Sequence, residues 1–317
     1  MRIAVVGAGA IGGFVAAMLA KAGNPVSVVA RGDHLRAIQQ NGLAVESATG
    51  DFTVNVPAAS DLRELPGVDA VLVVVKAHQF LEVLPQLTTT LERGATVVPM
   101  QNGIPFWYFE DRALESVDPG GTIRRTIPRE QIVGTVIHTS GEILGPGLIR
   151  QSGEPTYLFG VPSGVQSQRR LQEITALFNT AAMDATALPD LRPAVWRKLL
   201  GNVSLNPVSA LTGRTIKPML EDPASHRLIA RLMAEALDVA RAAGVELEIS
   251  IEERIAMAAR LADVKTSMLQ DLEAGRQLEL EPIVGAVIEV ADALRVRVAV
   301  MRTVYALTKS LRHSNAA

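Results

Sequence analysis

The chain opens on MRIAVVGAGAIGG, and the spacing of glycines there constrains the fold more than any other feature. Residues 2–6 form a short β-branched run, and residues 10–22 have helical periodicity that ends at Gly23. Between them stands Gly7-Ala8-Gly9-Ala10-Ile11-Gly12, a G-x-G-x-x-G placed where a strand turns into a helix. Gly7 permits a tight turn, Gly9 lets a pyrophosphate approach the backbone, and Gly12 permits close helix–strand packing. The helix start at Gly9, Ala10 and Ile11 offers free N–H groups at the positive end of a helix dipole. The stretch predicts the first strand–helix unit of a dinucleotide-binding sheet. Two other readings are a glycine-rich turn without a ligand and, from Arg2 and the apolar run of residues 1–20, a secretory signal. A signal sequence does not need glycines at these positions. No other stretch approaches the ~18 apolar residues that span a bilayer, so no membrane partner is expected.

The rest of the first half alternates strand and helix. Residues 25–30 read as a strand, and 33–40 as a helix ending near Gly42. AVLVVV at 70–75 is unbroken and apolar, as suits a strand buried on both faces of a parallel sheet. Residues 80–91 are helical and 95–98 form another strand. Weak alternating strands are expected over 43–56, a charged surface excursion over 110–130, strands at 132–138, 147–151 and 156–160, and a helix over 166–180. From about residue 188 the strand signal fades. Helices are expected at 192–209, 225–243, 249–262, 282–294 and 299–311. A length of 317 residues fits two domains. The expected fold is α/β: an N-terminal Rossmann-type parallel sheet domain over 1–187, followed by an all-α C-terminal domain over 188–317.

A formal net charge of −2 gives no reason to expect a nucleic-acid partner. The chain has no cysteine, which removes disulfides, thiolate metal sites and a cysteine nucleophile, and fits a cytoplasmic location. His34, His78, His138, His226 and His313 are scattered, with no metal-ligand spacing. No metal is expected.

The dinucleotide is suggested by the end of the second strand. An NAD site places Asp or Glu there, whereas this chain has Val28-Val29-Ala30-Arg31. A guanidinium suits a 2′-phosphate, so Arg31 points to NADP (NADPH). Asp33 could hold a ribose hydroxyl, and a solvated loop arginine is the alternative for Arg31. Lys76 follows AVLVVV directly and Gln101-Asn102-Gly103 follows the strand TVVPM. Ligands bind beyond the carboxyl ends of parallel strands. Both are therefore candidates for the coenzyme and substrate crevice, although Asn-Gly is equally a turn signal.

AVWRKLLGNVSLNP at 194–207 reads as a helix on which Lys198, Asn202 and Asn206 recur every four residues, making a polar stripe. Lining a pocket, it would present one ammonium and two carboxamides. An ammonium can give a proton to the oxygen of a carbonyl as hydride reaches its carbon. A solvated amphipathic face is the alternative. Ser267 and Asp271 are also four apart, and Glu279 and Glu281 precede Pro282, a pattern that simple helix capping would explain.

Together MRIAVVGAGAIGG, VVVKAHQ around Lys76, QNG at 101–103, WRKLLGNVSLNPVSALTG at 196–213, TSMLQDLEAGR at 266–276 and LELEPIVG at 278–285 resemble the ketopantoate reductase family along essentially the whole chain. The resemblance implies hydride transfer from NADPH to the C2 carbonyl of a small-molecule 2-oxo acid, with ketopantoate foremost. It implies Lys198 as general acid and Glu279 as an active-site carboxylate. Asn202, Asn206 and Ser267 would be substrate-binding positions, the serine near the carboxylate. Lys76 and Asn102 would sit by nicotinamide and substrate, and Arg31 on the 2′-phosphate. The cleft would lie between the domains, and several members dimerise, which leaves a homodimer open. Two departures are Glu281, where members often have Asp, and the aromatic IPFWYFE at 104–110, a candidate to overhang the cleft. Two alternatives stay open: an NAD(P)-dependent β-hydroxyacid dehydrogenase or a reductase of another oxo acid, and an NADP-binding protein without chemistry.

Overall fold

Four-residue strands with every or nearly every side chain buried build the first sheet, so their sequences are continuous apolar runs rather than alternating ones. The computed structural model describes residues 1–162, 164–165, 168–260 and 263–311. Its first unit comprises Met1–Gln101, Pro105–Arg112 and Gly121–Leu191. In chain order it contains β1 (Ile3–Val6), α1 (Ala10–Lys21), β2 (Val26–Val29), α2 (Gly32–Asn41), β3 (Leu43–Glu46), β4 (Phe52–Val54) and β5 (Ala58–Ala59). There follow β6 (Ala70–Val73), α3 (Phe80–Glu92), β7 (Thr96–Pro99), α4 (Thr122–Thr126), β8 (Gly134–Gly145), β9 (Leu148–Gly160), α5 (Gln168–Thr180) and β10 (Asp184–Ala187).

The first sheet has the order β5-β2-β1-β6-β7, and its pairs are parallel. The chain winds outward in both directions from β1, so the loops after β1 and β6 adjoin where the order reverses. Their closeness explains why β6 ends at Val73 rather than at Val75. A Cβ on Gly7 would lie 2.9 Å from Val75 Cγ1 and 3.0 Å from its backbone nitrogen, so Val74 and Val75 turn to meet the glycine loop instead of extending the strand.

A second sheet has the order β10-β9-β3-β4, with β8 on β9. β3 and β4 pair antiparallel. The three strands expected over 132–160 are two long ones, β8 and β9, in one antiparallel ladder with register shifts at His138/Ser140 and Ile143/Gly145. Exposed residues between 138 and 146 hide the strand pattern there. β10 is short and mostly exposed, so it left no apolar signal. The start of the expected helix at 166 lies outside the described residues.

The middle of the aromatic run is buried. Phe106, Trp107 and Tyr108 are core residues of the first unit. Phe106 meets Phe80 edge-on with ring centroids 5.3 Å apart, and the Trp107 ring lies against Gly134. The excursion after it is anchored: Arg129 Nη1 donates to the carbonyl oxygens of Trp107 and Phe109 at 3.0 and 3.1 Å.

The second unit comprises Arg192–Ala317 together with two pieces of the N-terminal half, Asn102–Ile104 and Ala113–Gly120. It holds α6 (Arg192–Thr212), α7 (Ile216–Glu221), α8 (Pro223–Ala242), α9 (Ile251–Ala259), α10 (Ser267–Glu273), α11 (Ala286–Ala293) and α12 (Ala299–Ser310). α6 buries residues around most of its circumference, with Trp196 fully enclosed, so it is the unit's central helix. A Ser250–Glu253 capping box fixes the start of α9. The helix expected from 282 begins as a π-helical turn over Glu281–Gly285 before α11. Residues 261–262, at the end of another expected helix, and His313 lie outside the described residues. No helix among the described residues is long and apolar enough to cross a membrane.

The glycine loop separates two roles that point mutants can read. A Cβ on Gly12 would run into the Gly7 carbonyl oxygen and come within 3.0 Å of Val74 Cβ, whereas a Cβ on Gly9 meets nothing within 4 Å. Gly12→Ala is expected to destabilise the protein by about 1–3 kcal/mol. Gly9→Ala should leave the thermal midpoint essentially unchanged. Thermal denaturation of the pair checks this, and a large loss in Gly9→Ala would contradict it.

Candidate active site

In the first unit, the open space at Gly9 is a cradle that the fold itself does not fill. Gly9 is the N-cap of α1 and no side chain caps the N–H groups behind it, at Ala10 and Ile11. These donors therefore face outward at a positive helix end. His34 braces the loop: its Nδ1 accepts from the Gly147 N–H at 3.0 Å, so Nε2 carries the proton and donates to the Ala8 carbonyl at 2.7 Å. Both roles are satisfied by neutral imidazole. Nothing in the sequence around this histidine marks that role.

Arg31 directly follows β2 and caps α2 with its backbone. Its exposed guanidinium pairs with Glu82 at 3.5 Å. Such exposed pairs contribute about 0–1 kcal/mol, so Glu82 would cost an anionic partner of Arg31 little to displace. Asp33, the alternative ribose contact, is paired with Arg36. The open space at Gly9, the uncapped helix start and the weakly paired guanidinium fit a dinucleotide with a 2′-phosphate. Lys76 lies three residues beyond the end of β6, where its backbone N–H donates to Gln79 Oε1 at 3.3 Å. Gln101 holds the same edge by donating to the Val73 and Val75 carbonyls at 2.7 and 3.0 Å.

In the second unit, three of the expected residues form one hydrogen-bonded chain. Lys198 Nζ donates to Asn102 Oδ1 at 2.7 Å, and Asn102 Nδ2 donates to Glu279 Oε2 at 3.2 Å. The partners lie 96 and 177 residues apart in sequence. A carboxamide suits the middle position because it accepts from the ammonium and donates to the carboxylate at once. Burial lowers the Lys198 pKa to about 8, against the raising effect of the Glu279 carboxylate. Desolvation is the larger influence, as the net direction shows.

Local backbone geometry fixes the carboxamide. Gly103 has φ +89°, and a Cβ there would strike the Pro282 carbonyl. That carbonyl accepts the Ile104 N–H at 3.0 Å. The QNG turn is thus stitched to the π-helical turn two residues beyond Glu279. The turn that the Asn-Gly pair signals is here also what aims the Asn102 carboxamide between Lys198 and Glu279.

Asn202 and Asn206 extend from Lys198 along α6. Asn206 is buried, and among the described residues neither carboxamide has a hydrogen-bond partner. Ser267 is the first residue of α10, but the capping hydroxyl is that of Thr266, which accepts from the Leu269 N–H at 3.2 Å. Ser267 itself is exposed. Asp271, by contrast, is buried and ion-paired with Arg276 at 2.9 Å. Glu281 accepts from Tyr305 Oη at 2.8 Å and Lys309 Nζ at 3.1 Å, so it anchors α12 instead of joining the Lys198 chain. No cluster of metal-ligating side chains occurs among the described residues.

The comparisons with known proteins bear on both units. The family described as "Ketopantoate reductase PanE/ApbA" matches residues 3–164, and "Ketopantoate reductase PanE/ApbA C terminal" matches residues 190–312. A 2-dehydropantoate 2-reductase of Mesorhizobium japonicum is 39% identical, with 98% of each chain covered. One of Halobacterium salinarum is 31% identical, again over 98% of each. A solved Ralstonia solanacearum chain assigned as a ketopantoate reductase superposes with a TM-score of 0.91 at 36% identity, covering 98% of this chain and 97% of that one. A glycine cradle on a parallel sheet, a helical second unit and full-length likeness to these proteins place the chain in the ketopantoate reductase family.

Proposed function

We propose that this chain is an NADPH-dependent oxidoreductase that reduces the C2 carbonyl of 2-dehydropantoate (ketopantoate) to the hydroxyl of pantoate, in pantothenate biosynthesis. The observation that carries the reading is the half-buried Lys198 amine, held on Asn102 with Glu279 behind it. The 39% identical Mesorhizobium relative named for this reaction supports the choice of substrate. A cytoplasmic location goes with the reading, and so does the homodimer found among family members.

NADPH, when bound, supplies the hydride that reaches the carbonyl carbon. Gly9, Ala10 and Ile11 would offer N–H donors to its pyrophosphate and Arg31 would take its 2′-phosphate, with Lys76 and Asn102 as the candidates to hold its nicotinamide end and the substrate. Lys198 is the general acid. Its ammonium gives a proton to the carbonyl oxygen as charge develops there, and the amine left behind is reprotonated from solvent. With a pKa of about 8, the group is mostly protonated at pH 7 yet acidic enough to release its proton. Asn102 Oδ1 holds one of the three N–H bonds and so aims the others. Glu279 favours the charged amine and offers an acceptor to a substrate hydroxyl. The unpartnered carboxamides of Asn202 and Asn206 bind the substrate hydroxyl, and Ser267 contributes its hydroxyl near the carboxylate.

Steady-state NADPH oxidation against a panel of 2-oxo acids tests the reaction, and no turnover with any of them would refute it. Lys198→Ala should lower turnover by about 10²–10⁴-fold while NADPH still binds. In the wild type, kcat/KM for reduction should fall as pH rises through about 8, and the reverse oxidation should rise over the same range. An unperturbed profile extending to the ordinary lysine range would remove Lys198 from the role.

The same shift has a stability signature. The folded pKa of Lys198 lies below its unfolded value, so the amine destabilises the fold below about pH 8, and this penalty fades as pH rises toward the unfolded pKa. At neutral pH Lys198→Met should therefore be inactive yet more stable, by up to about 3 kcal/mol. Equal or lower stability in denaturant titrations would contradict it. At the coenzyme end, Arg31→Ala should weaken NADPH far more than NADH in fluorescence titrations. Equal losses would refute the 2′-phosphate contact.

A further inference from the structure

Arg254 lies beside the same helix face and has no assigned task. It projects from α9, and its guanidinium packs on the backbone of α6 at Gly201. A Cβ there would collide with Nη2 and stand 2.9 Å from Cζ. Gly201 is three residues after Lys198 and directly precedes Asn202, so it flanks the polar stripe. Glycine is a poor residue for a helix interior, and here its absent side chain is what admits the guanidinium.

That guanidinium is also half-buried without a protein acceptor among the described residues. Burial holds Arg254 below the ordinary arginine pKa, and no carboxylate acts in the opposite direction. Among the described residues its side chain has no hydrogen-bond or ion-pair partner. Arg129, likewise desolvated, has two carbonyl oxygens as acceptors. A half-buried guanidinium that has lost part of its hydration and has no carboxylate beside it is open to an anionic partner.

We propose that Arg254 binds the substrate's carboxylate. A 2-oxo acid carries its carboxylate on the carbon next to the reacting carbonyl, so the two cations divide the molecule. Lys198 addresses the carbonyl oxygen, and Arg254 takes the neighbouring carboxylate through charge-assisted hydrogen bonds. This makes Arg254 the residue that selects 2-oxo acids over the corresponding esters and lactones. The inference rests on the oxo-acid reductase reading above.

The test compares ketopantoate with its lactone, which keeps the C2 carbonyl and lacks the free carboxylate. Arg254→Met preserves an apolar stem over Gly201. It is expected to raise KM for ketopantoate about 100-fold and to reduce the preference for acid over lactone by the same factor, with NADPH affinity unchanged. The thermal midpoint should stay level or rise, because a desolvated charge is gone. Added methylguanidine should restore Arg254→Ala in part. An unchanged KM, equal losses with acid and lactone, or a lowered midpoint accompanying the loss would overturn the assignment. If the wild type reduces no oxo acid, the proposed reaction fails first. Calorimetric titration with pantoate then decides for Arg254: binding by wild type but not Arg254→Met supports it, and equal or absent binding overturns it.

Discussion

Removing one ammonium from water is the constraint around which the helical unit is arranged. Lys198 loses hydration, which drives its pKa down, and it regains only part of that from a neutral carboxamide and a carboxylate one residue further away. Were the intermediary an aspartate, the added negative charge would hold the proton more tightly. A neutral asparagine carries the geometry without that electrostatic penalty, and the distant carboxylate moderates the fall. The amine is left poised between holding and releasing a proton at ordinary pH.

That poise depends on backbone geometry as much as on side chains. Asn102 is aimed by a left-handed glycine pressed against a carbonyl of the π-helical turn. Single π turns inside helices recur at functional sites. Here the irregular turn supplies the acceptor for Ile104, so the coupling between the QNG loop and the Glu279 segment is structural as well as electrostatic. Lys198 in turn is carried by a helix packed on nearly every side, which limits its freedom to swing toward solvent.

Much of this was legible in the amino-acid order because it follows local rules. The glycine spacing, the unbroken AVLVVV and the fading of strand signal near residue 188 gave the layout of sheet and helices. The four-residue recurrence of Lys198, Asn202 and Asn206 put them on one helix face. What the pattern could not show are relations between distant residues. The joining of Asn102 to Lys198 and Glu279 depends on a chain reversal with no local signature. The aromatic run at 106–108, expected to overhang a cleft, is buried by partners such as Phe80, distant in sequence. β10 is too short and polar to announce itself, and Arg254 resembles any other arginine on a helix until its contact with Gly201 is seen.

The helical unit is discontinuous in sequence, since Asn102–Ile104 and Ala113–Gly120 belong to it. Glu289 accepts from the backbone N–H groups of Glu115 and Ser116 at 2.7 and 3.0 Å, so both inserted pieces are bonded into it. Chimaeras that exchange C-terminal halves between relatives at a single junction near residue 191 would therefore inherit a foreign asparagine loop and a foreign cap for Glu289. A five-junction design that transplants those eleven residues along with the helices keeps the Lys198–Asn102–Glu279 hydrogen-bonded chain of one parent whole.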